Sequence, residues 1–89
     1  MVRSYRDLNV WKKSIQLVKD IYILVKLLPK EETYSLSDQI RRSAVSIPSN
    51  IAEGSGRKGT KEYIHFLYIS LGSLCELETQ IIISNEIES

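Results

Sequence analysis

The segment between Glu62 and Glu76 contains no Asp, Glu, Lys or Arg, and this limits the folds open to the chain. Apolar side chains recur there at helical spacing on two sides. One stripe consists of Tyr63, Leu67, Ser70, Leu74, Leu77 and Ile81, and the other of Ile64, Tyr68, Leu71 and Cys75. A helix that is apolar nearly all round must be covered on several sides, so this segment cannot be a lone surface helix. Residues 43–52 also lack charged side chains and must likewise be covered on several sides.

A first helix is predicted over residues 7–28. Its apolar residues are spaced by three and four, as the face of an amphipathic helix requires. This stripe consists of Leu8, Trp11, Ile15, Val18, Tyr22 and Val25. Asp7 suits the N-cap, and Pro29 ends the segment because the residue before a proline is pushed out of the helical region.

Two more helices are predicted, over residues 35–53 and 60–84. Ser35 and Thr60 are the expected N-caps, and Gly54 suits the end of the second helix. The second helix has a core stripe of Leu36, Ile40, Ala44, Ile47 and Ile51. Pro48 lies within this stripe, and we expect a continuous helix kinked near Ser46 because the apolar register carries through to Ile51.

These elements predict an all-α, up-and-down antiparallel helical bundle, with one domain over residues 1–89 because so short a chain cannot build two cores. Cys75 is the only cysteine, so no internal disulfide forms and the cytoplasm is the expected compartment. No membrane partner is expected, since the uncharged segment of the third helix is too short to cross a bilayer.

Three helices cannot cover two helices that are uncharged on several sides. We therefore predict a homo-oligomer, in which other copies of the chain supply the missing cover. The charge is divided as well: all 12 Lys and Arg lie within residues 1–61, whereas residues 62–89 hold five acids and neither Lys nor Arg. This division allows an anionic partner at one end or head-to-tail self-association.

Several segments carry a resemblance to a known family. They read YRDLNVW at residues 5–11, LSDQIRRSAVSIPSNIAEG at residues 36–54 and EYIHFL at residues 62–67, followed by GSL at 72–74 and ELETQ at 76–80. Together they resemble the four-helix-bundle proteins encoded within bacterial 23S rRNA intervening sequences. Residues 46–54 are the most specific part of the likeness, which covers almost the whole chain.

The resemblance implies an up-and-down bundle that assembles into rings, with pentamers expected. It also implies kinship to the accessory variability determinant proteins of diversity-generating retroelements, which are basic pentamers with nucleic acid as their expected ligand. It does not imply an enzyme. The chain stops where a member of that family would turn into its last helix, so three helices are expected here, with the fourth truncated or absent.

A polar stripe lies along one side of the second helix, about 100° from its apolar stripe by helical geometry. It consists of Gln39, Arg42, Ser46, Asn50 and Glu53. We interpret it, together with Ser73 and Glu76 of the third helix, as a hydrogen-bonded seam between subunits, with Arg42 paired to Glu76 or Glu78. A half-solvated flank is the alternative interpretation.

Basic residues form two candidate nucleic-acid surfaces. Arg57, Lys58 and Lys61 lie in the Gly-rich segment between the second and third helices, where contact with phosphates competes with an ordinary solvated turn. The order of Thr60 and Lys61 reverses that of a nucleotide-binding P-loop. Lys12, Lys19 and Lys26 share one face of the first helix over about 21 Å, a spacing that suits either phosphate contacts or simple solubility.

No catalytic, cofactor-binding or metal site is predicted. His65 is the only histidine and has no Cys or acid at metal-ligand spacing, so a packed or interfacial position is expected. Cys75 has apolar neighbours and suits a small core residue. The function predicted is therefore a non-enzymatic, oligomeric accessory protein that contacts RNA or DNA through basic residues; the alternative is a protein-interaction or scaffolding ring without a nucleic-acid partner.

Overall fold

The computed structural model describes the backbone of residues 4–28 and 30–88 and the side chains of residues 4–28 and 35–87. A 3₁₀ turn at Tyr5–Asp7 leads into helix α1 (Asn9–Lys26), followed by α2 (Lys30–Ser55) and α3 (Thr60–Glu88). The described part of the chain contains helices and no strand, which confirms the all-α prediction.

The three helices pack in chain order, with α2 between α1 and α3. Residue pairs that join α2 to α3 run in opposite directions along the two helices: Ser43 bonds Glu76, whereas Ser70 bonds the carbonyl of Ile47. The pairing is therefore antiparallel. Val25, near the end of α1, lines a common hollow with Ile40 of α2 and Ser84 near the end of α3. The start of α1 and the α2–α3 turn therefore lie at the same end of the bundle.

The start of α1 differs from the prediction. Asp7 belongs to the 3₁₀ turn, and Leu8 is the N-cap of α1 without a side-chain hydrogen bond. Ser4 caps instead the preceding turn, since its Oγ accepts a hydrogen bond of 3.1 Å from the amide of Arg6. The predicted stop at Pro29 lies outside the described residues.

The starts of α2 and α3 also differ from the prediction. α2 begins at Lys30, so Ser35 lies inside the helix rather than at its N-cap. α3 begins at Thr60, but the carbonyl of Gly59 accepts the amide of Tyr63 at 3.1 Å, which makes Gly59 the capping residue. α3 extends to Glu88, four residues beyond the predicted end.

α2 runs through Pro48 without a break, as the apolar register predicted. Proline has no amide proton, so the Ala44 carbonyl loses its helical donor at this position. Around it, Ser49 Oγ donates to the carbonyl of Val45 and Asn50 Nδ2 to that of Ser46, both at 2.8 Å. Such side-chain bonds to the preceding turn accompany bent helices. The kink itself stays a prediction.

The core lies where α2 faces both neighbours. Ile40, Ile51 and Leu77 are at most 2% exposed. The complete buried apolar cluster consists of Ile21, Val25, Ile40, Ala44, Ile47, Ile51 and Leu77. All five residues of the predicted stripe of α2 lie in this cluster or pack against it. The uncharged segment 43–52 is thus largely covered by α1 and α3 of the same chain, with Val45 and Ser49 left exposed. Cover of α2 by other copies stays a prediction.

The molecule is elongated, with extents of 47 × 20 × 15 Å and a radius of gyration of 14.6 Å. A compact domain of this length has a radius of gyration of about 12 Å. Its accessible surface is 6572 Å², whereas a folded monomer of this mass exposes about 5,300 Å². The single chain therefore leaves more surface uncovered than a monomeric domain normally does.

Candidate functional site

The side of α3 that points away from α2 is apolar and uncovered. We call it the outer face of α3 and define it by the exposed residues Ile64, Tyr68, Leu71, Cys75 and Ile82. Tyr68 is 68% exposed and Leu71 51% exposed. Ile64, Leu67, Tyr68 and Leu71 also line a shallow hollow of about 280 Å³. The second apolar stripe predicted for this helix is therefore the part that the chain's own helices leave bare.

α3 is long and apolar enough over Thr60–Ile87 to cross a membrane by length and composition. The expectation that this helix is too short is thus wrong. The uncharged segment ends at Glu76, but the helix continues through Ile81, Ile82 and Ile83. Length and composition are weak evidence for a membrane span, because Glu76 and Glu78 lie within the same helix and a charge near the bilayer centre costs about 3 kcal/mol.

Part of the predicted polar stripe forms a seam between α2 and α3 of one chain. Ser46 Oγ and Ser73 Oγ lie 2.8 Å apart, and Asn50 Nδ2 donates to Ser46 Oγ at 2.9 Å. One turn away, Ser43 Oγ donates to Glu76 Oε1 at 3.0 Å. These bonds satisfy half-buried polar groups without another subunit. The role of the stripe between subunits stays a prediction.

The charged members of the stripe pair along their own helix. Arg42 lies 3.1 Å from Asp38, so the predicted partners Glu76 and Glu78 are not the ones it has. Glu53 pairs with Arg57 at 3.4 Å. Both pairs are exposed and four residues apart, a type worth only about 0.3–0.5 kcal/mol. They hold side chains at the surface rather than the helices together.

A polar groove follows the same side of α2 and α3. It measures about 250 Å³ and is lined by Gln39, Arg42, Ser43, Ser46, Glu76 and Gln80. The structure thus brings four of the predicted seam residues into one groove. Gln80 was not predicted, and its buried Oε1 has no hydrogen-bond partner among the described residues. The sequence feature that could have identified Gln80 is its position one helical turn after Glu76.

Three exposed cations lie where α2 leads into α3: Arg57 and Lys58 in the turn, and Lys61 at the start of α3. Arg57 is held on two sides: by Glu53 and by the ring of Phe66, whose centroid lies 5.1 Å from the guanidinium carbon. Lys58 and Lys61 extend into solvent at the same end of the bundle. Three cations at this end form an arrangement that can neutralise neighbouring phosphates.

The lysines of α1 are placed as predicted. Lys12, Lys19 and Lys26 are all exposed, on the side of α1 opposite its buried residues. Because α1 starts at the end of the bundle that holds the α2–α3 turn, Lys12 lies nearest that turn and Lys26 nearest the opposite end. The three lysines of α1 therefore extend along the long axis of the molecule, away from the end that carries the other basic surface.

One further prediction fails, because Cys75 is exposed rather than part of the core. His65 is exposed in the single chain, and its ring stands at 75° to that of Phe66 with 5.7 Å between the centroids. An interfacial position for His65 stays a prediction. Among the described residues, no group of three or more His, Cys, Asp or Glu side chains is placed to hold a metal ion. The contact between Arg57 and the Phe66 ring was not predicted.

Comparison with known proteins places these surfaces in a family. The sequence model of the family described as 23S rRNA-intervening sequence protein matches residues 6–89. Among curated proteins, no match to this chain was found. The match spans all three helices, including both basic surfaces and the outer face of α3.

Proposed function

The chain belongs to the 23S rRNA-intervening sequence protein family, and we propose that it is a non-enzymatic, cytoplasmic accessory protein that self-associates and contacts RNA or DNA through its basic surfaces. The family resemblance makes a pentameric ring the expected assembly. The observation that carries the proposal is the outer face of α3, because an apolar helix face left bare in one chain requires cover.

The solvent-accessible surface area of the chain supports self-association. The chain exposes roughly 1,200 Å² more than a monomer of this mass is expected to expose. Exposed patches of several hundred Å² of apolar surface mark interaction sites in soluble proteins. A second copy is an occupant of matching chemistry, since its own outer face of α3 is equally apolar and without charge between Glu62 and Glu76.

The mass of the protein in solution tests self-association. At micromolar concentration we expect sedimentation equilibrium to give a multiple of the chain mass. Leu71→Glu puts a charge in the middle of the outer face and should lower that mass to one chain. Ile23→Glu is the matched control, since Ile23 is 62% exposed on α1, away from this face. A monomeric wild-type protein, or equal effects of both substitutions, would contradict the proposed assembly.

Position and charge support nucleic-acid binding. Arg57, Lys58 and Lys61 are exposed where α2 leads into α3, and three phosphate contacts give a log–log salt slope of about −2.7 on duplex DNA. We expect gel shifts at low salt with structured RNA or duplex DNA. Replacing the three cations by Gln should remove their share of the slope and leave the share of the α1 lysines, whereas Ser49→Ala, at an exposed site elsewhere on α2, should leave the slope unchanged.

The alternative function is a scaffolding ring for proteins. The outer face of α3 favours it, because an apolar surface that is uncharged from Tyr63 to Cys75 suits a protein partner as well as another copy. If the assembly forms but no nucleic acid binds at low salt, and protein partners survive nuclease treatment in a pulldown, the scaffold is the correct function.

A further inference from the structure

A cavity lies beside the α2–α3 turn. It measures about 460 Å³, opens widely to solvent and is lined by Arg57, Lys61, Glu62, His65 and Phe66. Sites for small ligands and cofactors typically measure about 300–1,000 Å³. The cavity therefore has room for one planar heterocycle and is accessible from outside.

Three of the side chains that line this cavity carry planar groups. The guanidinium carbon of Arg57 lies over the ring of Phe66, 5.1 Å from its centroid. The Arg57 side chain is 46% exposed, so an incoming ring can reach part of it. The His65 ring is exposed and stands at 75° to Phe66. Guanidinium planes and aromatic rings are the groups on which proteins stack unpaired bases.

The charges of the cavity are mixed. Lys61 is a cation on its rim, and the exposed Lys58 is its near neighbour in the chain. Glu62 also lines the cavity, and Glu53 pairs with Arg57 at 3.4 Å. These two carboxylates reduce the attraction for phosphates. Binding here must therefore gain free energy from the base as well as from charge.

We propose that this cavity accepts an unpaired base of single-stranded RNA or DNA, stacked on Arg57 with the His65 ring in edge contact with it, and with Lys61 on the adjoining phosphate. The inference rests on the proposed nucleic-acid function and deepens it by naming the form of nucleic acid. A duplex cannot serve in the same way, because its bases are stacked inside the helix and out of reach of these planes.

The test is fluorescence anisotropy with oligonucleotides of about 12 nucleotides, a length within the usual range of single-strand sites. The probes are oligoadenylate as RNA and as DNA, an abasic DNA strand with the same phosphates, and a duplex. The variants are His65→Ala and Arg57→Lys, the second of which keeps the charge and removes the plane. Lys58→Gln is the matched control that removes charge and keeps every flat group.

We expect His65→Ala and Arg57→Lys each to weaken binding of oligoadenylate by at least about fivefold and to leave binding of the abasic strand unchanged. Lys58→Gln should weaken all probes alike. If the RNA strand binds more tightly than the DNA strand, the protein also contacts the 2′-hydroxyl. If the two strands bind equally, stacking on the base is the interaction that they share. Either result supports the inference.

Equal binding of the abasic strand and oligoadenylate by the wild-type protein would overturn the inference and leave phosphate binding in place. So would His65→Ala and Arg57→Lys without effect while Lys58→Gln weakens every probe. The absence of any complex with any probe at low salt would instead contradict the proposed nucleic-acid function itself.

Discussion

Gly54 sets the distance between the end of α2 and the start of α3. A Cβ atom built on Gly54 would lie 2.5 Å from the Cβ of Phe66 and 3.2 Å from Cδ1 of Tyr63. The first distance is far below van der Waals contact, and it involves the inner end of a side chain, which cannot swing away. Gly54 is therefore required by close packing, and the backbone has no positive φ to explain it.

Gly54→Ala should consequently lower the free energy of unfolding by roughly 1–3 kcal/mol, as other overpacked sites do. Gly72→Ala is the control, because nothing lies within 4 Å of a Cβ built there. That control should raise stability by up to about 1 kcal/mol through helix propensity. Urea denaturation of both variants measures the difference, and equal stabilities would show that the α2–α3 turn relaxes without cost.

Phe66 links the close packing at Gly54 to the proposed base-binding cavity. Its ring supports the guanidinium of Arg57, and its Cβ packs under Gly54. A change at Gly54 would therefore shift the stacking plane as well as the helix. The proposed base-binding cavity depends in this way on a contact that the sequence pattern does not reveal.

At the scale of elements, α2 and α3 are joined by serines. Ser70 Oγ donates to the carbonyl of Ile47 at 3.0 Å, and Ser46 and Ser73 share a hydroxyl pair at 2.8 Å. Asn50 donates to Ser46 Oγ, which leaves the Ser46 proton available for Ser73. Small hydroxyl side chains allow the two helices to approach while their polar groups remain satisfied.

The Ser46–Ser73 pair should therefore be energetically coupled. In a double-mutant cycle of Ser46→Ala and Ser73→Ala, we expect a coupling free energy of roughly 0.5–1.5 kcal/mol by urea denaturation. Ser49→Ala with Ser73→Ala is the control, since Ser49 is exposed and bonds only the carbonyl of Val45. Additive effects in both cycles would mean that the hydroxyl pair contributes nothing to the packing of the helices.

α3 differs from α2 because only one of its sides has a partner, and it differs from α1 because its uncovered side is apolar. Leu67, Leu77 and Ile81 belong to the core or pack against it, whereas Tyr68 and Leu71 face solvent. Burial of apolar area stabilises by about 25 cal/mol per Å². Covering this face thus offers a large gain that the single chain does not realise.

At the scale of the whole molecule, the proposed self-association predicts that stability depends on protein concentration. Anything that binds the folded chain and not the unfolded chain stabilises it by mass action. The melting temperature of the wild-type protein should therefore rise with protein concentration. For a domain of this size, each 1 kcal/mol corresponds to about 4–8 °C.

Differential scanning calorimetry over a hundredfold range of concentration measures this shift. Leu71→Glu serves as the control, because its melting temperature should be lower and nearly independent of concentration. A wild-type melting temperature that does not change with concentration would mean that the three helices are stable alone, and the outer face of α3 would then need another explanation.

The amino-acid sequence was sufficient to predict the three helices, the core face of α2 and the passage of α2 through Pro48, whereas Tyr22 and Leu74 of the other two predicted stripes are exposed. These properties follow from the 3.6-residue period and the placement of apolar residues, which are local and visible in the chain. The buried stripe of Ile40, Ala44, Ile47 and Ile51 lies where that period places it. The family could be named from residues 46–54 and the segments around them for a similar reason, since short specific motifs are local too.

Only the tertiary structure decided which helix is covered, which cation pairs with which acid, and which planar groups meet. α2 is hidden by α1 and α3, Arg42 pairs with Asp38, and Arg57 stacks on Phe66. Sequence spacing shows which residues share a face of a helix, but not what lies opposite that face. Burial and pairing depend on neighbours contributed by distant parts of the chain, and these exist only once the helices have packed.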